Sequence, residues 1–369
     1  MRPRILLHSL IPAQRSSGTF AVSSLWAQDV NTLATMADVD LLCPVCEGVG
    51  ESALDPRITV AQLQACDLDR LVAACDVVQL PGNFGWSQSR QGFRLKKLAS
   101  AHGKPLVVGI SSNRARTVWM NRRRGALGAA VAALRFVDIR TAQWALARNT
   151  AGLFVVGSGL KSLLSHGNVH VDVASWVRRS DLLPPAPARS GPPRVCIASR
   201  LEKMKGVLLG AQAAAVAARQ FPRLHFDVLG EGPEKAGLER VVDECGIGAN
   251  TRFLGQLAYP DQFFGYLRTA DFVLLTNLND EQPRLIFDAI SQGCIPICPN
   301  SPPYVALGLP PEVLYERGNA DSLAQTLLKL LPRTPGLPEA LRDIAAHHTI
   351  ESMHARRLEW MQTVLRATA

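Results

Sequence analysis

Two aspartates, Asp280 and Asp288, stand eight positions apart in a stretch whose pattern predicts strand, loop, helix and strand. The loop would run over residues 276–283, and Leu285 would begin the apolar spacing of the helix. Carboxylates fixed there could accept hydrogen bonds from the vicinal hydroxyls of a ribose or a hexose, while free N–H groups near Arg284 and Leu285 meet a phosphate. The alternative is that Asp280 caps the helix and Asp288 lies on its solvated face.

A basic loop, residues 199–206, follows a short apolar strand at 194–198 and precedes a helical pattern. Arg200 and Lys205 would come to the carboxyl end of that strand. There they could neutralise a diphosphate and stabilise it as a leaving group. A wholly solvated basic loop is the competing interpretation. The spacing of the two cations favours diphosphate binding.

The elements that would position these residues alternate between strand and helix. In the N-terminal half, short apolar runs occur at residues 5–10, 40–44, 77–80, 106–110 and 152–156. This alternation predicts a parallel sheet with helices on both faces. A proline-rich stretch over residues 180–193 is unsuited to either sheet. The chain would therefore form two α/β domains that a hinge joins, with a cleft between them.

Composition limits the classes of partner and compartment. The chain has 369 residues, is 47% apolar, and carries a net charge of +9 with a pI near 9.4, which favours an anionic partner such as a nucleotide or a phospholipid surface. No apolar run is long enough for a transmembrane helix, and no signal peptide is evident, so we expect a cytoplasmic protein. Eight cysteines fit a reducing compartment. The single C-x-x-C of Cys43 and Cys46 is too weak a signal to predict a metal or redox site.

Two further segments in the N-terminal half could contact an anion. Residues 14–20 contain Gly18 and would lead into a helix at Ala21, so that backbone N–H groups could approach a phosphate; an ordinary turn is the alternative. Residues 114–148 contain eight arginines, a single acid, Asp138, and interleaved apolar residues. This segment could lie on anionic lipid or grip a phosphorylated acceptor. It could also be a solvated loop and a helix packed on its own domain.

The motifs of the C-terminal half resemble those of retaining glycosyltransferases with the two-domain GT-B fold, in the family 4 group. There the E-x7-E segment often has the form E-G-x-P-R-x-L-L-E-A-x-x-x-G-x-P-V. Here Asp280 and Asp288 fall on its two glutamates, each shortened by one methylene. The basic loop is similar to G-R-L-x-x-x-K-G, and later stretches are similar to G-x-G-P and V-x-F-L-G. These four motifs stand in the family's order over residues 194–332, whereas residues 1–180 resemble the family only in topology.

This resemblance implies a fold of two Rossmann-like parallel-sheet domains facing a cleft. It also implies a metal-independent transfer of a sugar from a nucleotide-diphosphate sugar, with retention of anomeric configuration and without a cofactor. Asp288 would hold the ribose hydroxyls, and Asp280 the hydroxyls of the donor sugar. The implied catalytic residues are Asp280, Arg200 and Lys205. The implied donor-binding residues are Gly18, Arg200, Lys205, Phe253, Leu254, Glu281, Pro283, Arg284, Leu285 and Asp288.

The same resemblance sets the expected domains and partners. Residues 1–183 would be the acceptor-side domain, 184–193 a linker, 194–337 the nucleotide-sugar-binding domain, and 338–369 a tail whose helix returns to the first domain. The acceptor would be a glycan, a lipid-linked precursor of the cell envelope or a small molecule. The basic segment would allow peripheral contact with the inner face of an anionic membrane. Nucleic acid is not an expected partner, because the excess charge is not interleaved with a known reading module.

The sequence departs from the family where a histidine often follows the strand at 106–110. Residues 111–113 are Ser-Ser-Asn, and Gln79 and Pro81 stand where histidines often follow the D-V-V motif of the preceding strand. No histidine is therefore assigned a role. Two alternatives stay open: a nucleotide-sugar epimerase, which would need acid and base residues in the cleft, and a GT-B subunit that has lost catalysis and binds a partner or a membrane.

Overall fold

The structure, a computed structural model, describes residues 2–16, 18–123, 125–173, 175–184, 191–279, 284–332 and 337–368. The chain divides into two compact units. Unit 1 comprises Met1–Trp176 and Ile350–Ala369, and unit 2 comprises Val177–Thr349. Each unit has its own parallel sheet with helices packed on it, so the prediction of two Rossmann-like α/β domains is confirmed.

The strands are numbered along the chain. Those of unit 1 are β1 (Arg4–His8), β2 (Ala13–Ser16), β3 (Thr19–Val22), β4 (Asp38–Cys43), β5 (Val45–Glu47), β6 (Ser52–Ala53), β7 (Thr59–Gln62), β8 (Val77–Pro81), β9 (Leu106–Ile110), β10 (Gly152–Val156) and β11 (Val169–Asp172). Those of unit 2 are β12 (Arg194–Ala198), β13 (His225–Leu229), β14 (Thr251–Gly255), β15 (Phe272–Leu274), β16 (Ile295–Pro299) and β17 (Leu314–Tyr315).

The α-helices are numbered in the same way. They are α1 (Ser24–Met36), α2 (Leu68–Ala74), α3 (Arg90–Ala101), α4 (Arg114–Met120), α5 (Ala126–Ala147), α6 (Val207–Gln220), α7 (Lys235–Glu244), α8 (Asp261–Leu267), α9 (Leu285–Ser291), α10 (Pro302–Val305), α11 (Ala320–Leu330), α12 (Leu337–His347) and α13 (Ile350–Thr368). No helix within the described ranges has the length and apolarity that a bilayer crossing requires.

The main sheet of unit 1 has the strand order β11-β10-β9-β8-β1-β4-β7, and its strand pairs are parallel. Alternate residues of the central strands β1, β4, β8 and β9 enter two different apolar cores. Ile5 and Leu7 of β1 enter one core, while Leu6 enters the other. Burial on both faces explains why these strands appear in the sequence as continuous apolar runs rather than as alternating patterns.

The segment around Gly18 differs from its prediction. Instead of a turn leading into a helix at Ala21, β2 and β3 form an antiparallel hairpin with Gly18 at its tip, where φ is +80°. Thr19, Phe20 and Val22 favour a strand, and α1 begins only at Ser24. The backbone N–H of Ser24 donates to the carboxylate of Glu51 at 2.9 Å, so an acid of the chain already occupies this helix start.

The last helix, α13, belongs to unit 1, where it packs on α1 and β11. Three of its apolar residues, Leu358, Met361 and Val364, enter the core of unit 1. Arg357 Nε donates to Asp172 at 2.7 Å, within a buried ion pair. The return to the first unit therefore begins at Ile350 rather than at residue 338, since α12 lies in unit 2 and packs on α9.

The sheet of unit 2 has the order β14-β13-β12-β15-β16-β17, and its pairs are parallel. Adjacent carboxyl ends of β12 and β15 bring residues 199–206 and 275–279 to one edge of the sheet. The unit begins at Val177, ahead of the predicted linker. Hydrogen bonds hold this first segment to unit 2: Leu183 N donates to the carbonyl of Ser291 at 2.9 Å, and Gln292 Nε2 donates to the carbonyl of Asp181 at 3.0 Å.

Candidate functional site

Residues 199–206, called here the basic loop, connect β12 to α6. Leu201 and Met204 anchor the loop because both are buried in unit 2. The side chain of Arg200 is 69% exposed, and its Nη1 lies 2.8 Å from Oε1 of Glu202. Apolar anchors thus fix the backbone, and one guanidinium stays accessible to an anion at the carboxyl edge of the sheet.

The end of the basic loop is bonded to the segment that follows β15. Thr276 Oγ1 donates to the carbonyl of Lys205 at 2.6 Å, and Leu278 N donates to the carbonyl of Met204 at 2.9 Å. Gly206 has φ +59°, and a Cβ there would lie 2.3 Å from the carbonyl oxygen of Thr276. These contacts bring together two segments that sequence reasoning selected separately. Glycine is required at their junction by both conformation and space.

A second glycine-bearing turn, after β13, supports the basic loop from its other side. A Cβ on Gly230 would lie 2.0 Å from the carbonyl oxygen of Ser199. Leu201 N donates to the carbonyl of Glu231 at 2.9 Å. The glycine of the G-x-G-P motif therefore has a packing role in unit 2, since it allows the two backbones to approach closely.

Asp288 lies on α9, and the residue is only 1% exposed. The hydroxyl of Tyr259 donates to its Oδ1 at 3.3 Å, and Nε of Arg284 lies 3.7 Å from its Oδ2. The Arg284 guanidinium also stacks over the Tyr259 ring, 4.6 Å from the centroid. Burial raises the pKa of Asp288 to about 6, although the Arg284 charge and the Tyr259 hydrogen bond act to lower it.

The burial of Asp288 contradicts the alternative interpretation that it lies on the solvated face of its helix. All seven residues of α9 are buried, which leaves no solvated face for an acid. Each carboxylate oxygen has one partner within unit 2, because Oδ1 accepts a hydrogen bond from Tyr259 and Oδ2 lies at ion-pair distance from Arg284. Contact between Asp288 and ribose hydroxyls stays a prediction.

The first acid of the pair, Asp280, lies outside the described residues, as do Glu281 and Pro283. Their predicted contacts with the donor stay predictions. Arg284 immediately precedes α9, and Leu285 is the first residue of that helix. The structure therefore places the second half of the E-x7-E segment at a helix start, where the sequence predicted it.

Comparison with known proteins shows which family unit 2 resembles. Residues 180–347 match the sequence profile of the family described as Glycosyl transferases group 1. These residues are therefore similar to that family. The match covers nearly all of unit 2, called the group 1 domain from here on, and none of unit 1.

Solved structures resemble the chain over its whole length. Sucrose-phosphate synthase (tll1590) from Thermosynechococcus elongatus has a TM-score of 0.72 at 15% identity, covering 99% of this chain and 100% of that one. Anabaena Alr3699/HepE in complex with UDP has a TM-score of 0.67 at 13% identity, covering 98% and 100%. The apo form of the lipopolysaccharide outer core galactosyltransferase WaaB has a TM-score of 0.63 at 14% identity, covering 98% and 99%. These likenesses establish the GT-B type of fold for both units. No curated protein matches the chain significantly in sequence.

The group 1 domain has two buried asparagines that sequence reasoning missed. Asn277 is 4% exposed and Asn279 is 2% exposed, and both follow β15 beside the basic loop. Within the described residues, Nδ2 of Asn277 and both amide atoms of Asn279 have no hydrogen-bond partner. Buried amide groups without partners cost free energy, so these two are candidates for hydrogen bonds to a bound ligand. The feature of the sequence that could have identified them is the presence of two asparagines shortly after an apolar strand.

Phe253 and Leu254, two of the predicted donor-binding residues, lie on β14, and both are partly buried. β14 is the edge strand next to β13, whose following turn supports the basic loop. The group 1 domain thus brings β14, the G-x-G-P turn, the basic loop and the segment after β15 to one edge of its sheet. Contact of Phe253 and Leu254 with the donor stays a prediction.

Unit 1 has a polar cluster where the family often has a histidine. Asn83 Nδ2 donates to Ser111 Oγ at 2.6 Å, and Ser111 N donates to Asn83 Oδ1 at 3.2 Å. His8, at the end of the neighbouring β1, is buried with Nδ1 3.2 Å from the carbonyl of Leu42. Burial lowers the pKa of His8, which favours its neutral form. Burial likewise raises the pKa of the Cys43 thiol, which makes it a poor nucleophile.

Proposed function

We propose that the protein is a retaining glycosyltransferase that moves a sugar from a nucleotide-diphosphate sugar to an acceptor. The observation that carries the proposal is the basic loop, bonded to the segment after β15 within a group 1 domain. Arg200 and Lys205 hold the diphosphate in this proposal. Asp280 holds the hydroxyls of the donor sugar, and Asp288 those of the ribose. The structure of Anabaena HepE with UDP supports a nucleoside diphosphate as the ligand class.

The chemistry proposed for the basic loop is stabilisation of a leaving group. As the bond between the anomeric carbon and the diphosphate oxygen breaks, negative charge develops on the diphosphate. A guanidinium and an ammonium fixed beside it stabilise this charge without reorganising. Retention means that the acceptor oxygen bonds to the face of the sugar that the diphosphate leaves, and the proton of the acceptor hydroxyl passes to the departing diphosphate oxygen. This chemistry assigns no role to a histidine and requires no protein nucleophile.

The acceptor in this proposal is a glycan, a lipid-linked precursor of the cell envelope or a small molecule. A cytoplasmic protein in peripheral contact with an anionic membrane would meet a lipid-linked acceptor at the membrane surface. The net charge of +9 supports attraction to such a surface.

The test is a thermal-shift screen against UDP, GDP, ADP, TDP and CMP with their common sugars. A ligand at 100 times its Kd stabilises the folded state by about 2.7 kcal/mol, so the donor nucleotide should raise the Tm by several degrees. Lys205→Ala should abolish this shift and lower turnover by about 100-fold or more. The matched control is Lys329→Ala, which removes an exposed lysine from α11. This variant should keep both the thermal shift and the turnover of the wild type.

Two results would contradict the proposal. One is normal turnover in Lys205→Ala, which would remove the leaving-group role of the basic loop. The other is the absence of a shift with every nucleotide.

A binding subunit that has lost catalysis is the second candidate function. Burial of Asp288 against Tyr259 and Arg284 favours it, because a carboxylate already bonded within the domain is less available to a donor. This candidate predicts affinity for a nucleotide sugar without release of nucleoside diphosphate in the presence of any acceptor. Measured nucleotide release that depends on an acceptor would exclude it.

A further inference from the structure

The outward face of α5 in unit 1 carries an apolar stripe. The first four residues of this face recur every three or four positions and the fifth follows seven positions later, while the opposite face, with Ile139 and Leu146, is buried. The residues of the stripe, called here the α5 stripe, are Leu127 (80% exposed), Val131 (44%), Leu134 (73%), Val137 (57%) and Trp144 (56%). Contiguous exposed leucine, valine and tryptophan on one helix are uncommon in a soluble domain and indicate an interaction surface.

Two exposed tryptophans extend the α5 stripe. Trp86 lies against α5, because its Nε1 donates to Thr141 Oγ1 at 2.9 Å. Trp119 lies on α4, which packs on α5, and the Arg122 guanidinium stacks over its ring 4.4 Å from the centroid. Tryptophan has an apolar ring and a polar N–H, a combination enriched where an apolar phase meets water.

The charge around the α5 stripe is almost entirely positive. Residues 114–148 hold eight arginines and one acid, Asp138. The Asp138 carboxylate is turned towards the 85–86 backbone: Trp86 N donates to it at 3.3 Å, and Gly85 has no Cβ to obstruct it. Among the described residues, no carboxylate lies within ion-pair distance of four exposed arginines of this segment: Arg122, Arg123, Arg135 and Arg148.

Arginines stand at both ends of the stripe. Arg122 and Arg123 precede α5, while Arg148 follows it and stacks over the Trp144 ring, 5.2 Å from the centroid. Long basic side chains at the ends of an apolar face can reach a layer of headgroups while the apolar face enters the acyl region.

We infer that unit 1 docks through the α5 stripe on a bilayer surface with anionic headgroups, with α5 lying in the plane of that surface. Charge decides between the possible occupants of the stripe. A second copy of the chain would bring another net charge of +9 against a basic surface, whereas anionic lipid is complementary to it. The inference of membrane docking depends only on observations in unit 1. The purpose of docking, which is access to a lipid-linked acceptor, rests on the proposed function.

The test is co-sedimentation of the full chain with phosphatidylcholine vesicles prepared with and without phosphatidylglycerol. We expect binding to the anionic vesicles to exceed binding to neutral ones by about tenfold or more, and to weaken between about 0.1 M and about 1 M salt. The double variant Leu127→Glu, Leu134→Glu should lose binding by about tenfold or more, because it places two charges at the apolar contact.

The matched control is Val49→Glu, Val305→Glu. It adds the same two charges at exposed valines that do not belong to α5 and should lose less than about threefold. All four positions are exposed, so both variants should keep the melting temperature and circular dichroism of the wild type. Equal loss in the two variants would mean that net charge alone drives binding, and it would overturn the stripe as the docking site.

Two other outcomes would also overturn the inference. One is the absence of binding to anionic vesicles. The other is a dimer in sedimentation equilibrium that Leu127→Glu, Leu134→Glu dissociates, because the stripe would then be covered by a second copy. Lys205→Ala should bind vesicles like the wild type. Failure of the donor site and failure of the docking surface are therefore distinguishable.

Discussion

Helix α9 buries an acidic side chain, whereas helix α5 exposes large apolar side chains. Each of the seven residues of α9 is buried, and one of them is the carboxylate of Asp288. Over its 22 residues, α5 exposes most of its large apolar side chains on one face. Burying an acid and exposing leucines both oppose the ordinary partition between core and solvent, and both cost free energy. Such exceptions are where function is most often found, and the predictions below test each helix against the other.

The largest expected contrast is between an apolar truncation on each helix. Ile286→Ala on α9 should lower the free energy of unfolding by about 2–5 kcal/mol, since it leaves a cavity at a fully buried position. Leu134→Ala on α5 should change it by less than about 0.5 kcal/mol, because that side chain is mostly exposed. Denaturant titration of both variants measures the difference. A similar loss in both would show that the α5 stripe is covered by protein in solution.

The strand–helix alternation made the fold predictable, because strands covered on both faces give apolar runs that sequence alone reveals. The hairpin around Gly18 was not predictable from that pattern. The strands of this hairpin pair with β5 and β6, and the carboxylate of Glu51 accepts a hydrogen bond from the N-terminus of α1. Residues distant in sequence therefore determine the structure of this segment. The final helix was expected to return to unit 1. Its starting point depends on the packing of α12 in unit 2, and a local sequence pattern does not reveal that contact.

The second prediction concerns the buried acid of α9. Burial raises the pKa of Asp288 to about 6 from its ordinary value of 3.8, so the folded state binds this proton more tightly than the unfolded state. The resulting stability is fully present below about pH 4 and is lost as the pH rises through about 6, an effect on the order of 3 kcal/mol. Asp288→Asn stays neutral and should gain stability relative to the wild type over that range.

The measurement for Asp288 is the difference in free energy of unfolding between Asp288→Asn and the wild type from about pH 4 to about pH 7. Taking the difference removes the titration of all other groups. Ser291→Ala, a change at another buried polar position of α9, should show a difference that does not depend on pH. A flat difference for Asp288→Asn would mean that Arg284 and Tyr259 hold the carboxylate ionised at its ordinary pKa.

The sequence predicted which segments form the candidate site, but it did not predict the contacts of their side chains. Motif spacing located the basic loop and the segment after β15, and the structure bonds the two through Thr276 and Leu278. The burial of Asp288 follows from the packing of α9 on its neighbours, which the eight-residue spacing does not encode. Asn277 and Asn279 were missed because an asparagine after a strand usually indicates a turn, and only the structure shows both to be buried.

The smallest expected effect on stability concerns a charge that the group 1 domain leaves in solvent. Glu202, whose side chain is 16% exposed, pairs at 2.8 Å with Arg200, which is 69% exposed. Because the guanidinium is in solvent, the pair is worth about 1 kcal/mol or less. Glu202→Gln should hardly change the Tm, yet it should tighten nucleoside diphosphate binding by about two- to fivefold, because the diphosphate no longer competes with this carboxylate for the guanidinium. Calorimetric titration measures the affinity, and Glu312→Gln, an exposed acid of the same unit, is the control. Weaker binding in Glu202→Gln would instead mean that the carboxylate holds Arg200 in its binding position, and the 2.8 Å contact would then be part of the site rather than its competitor.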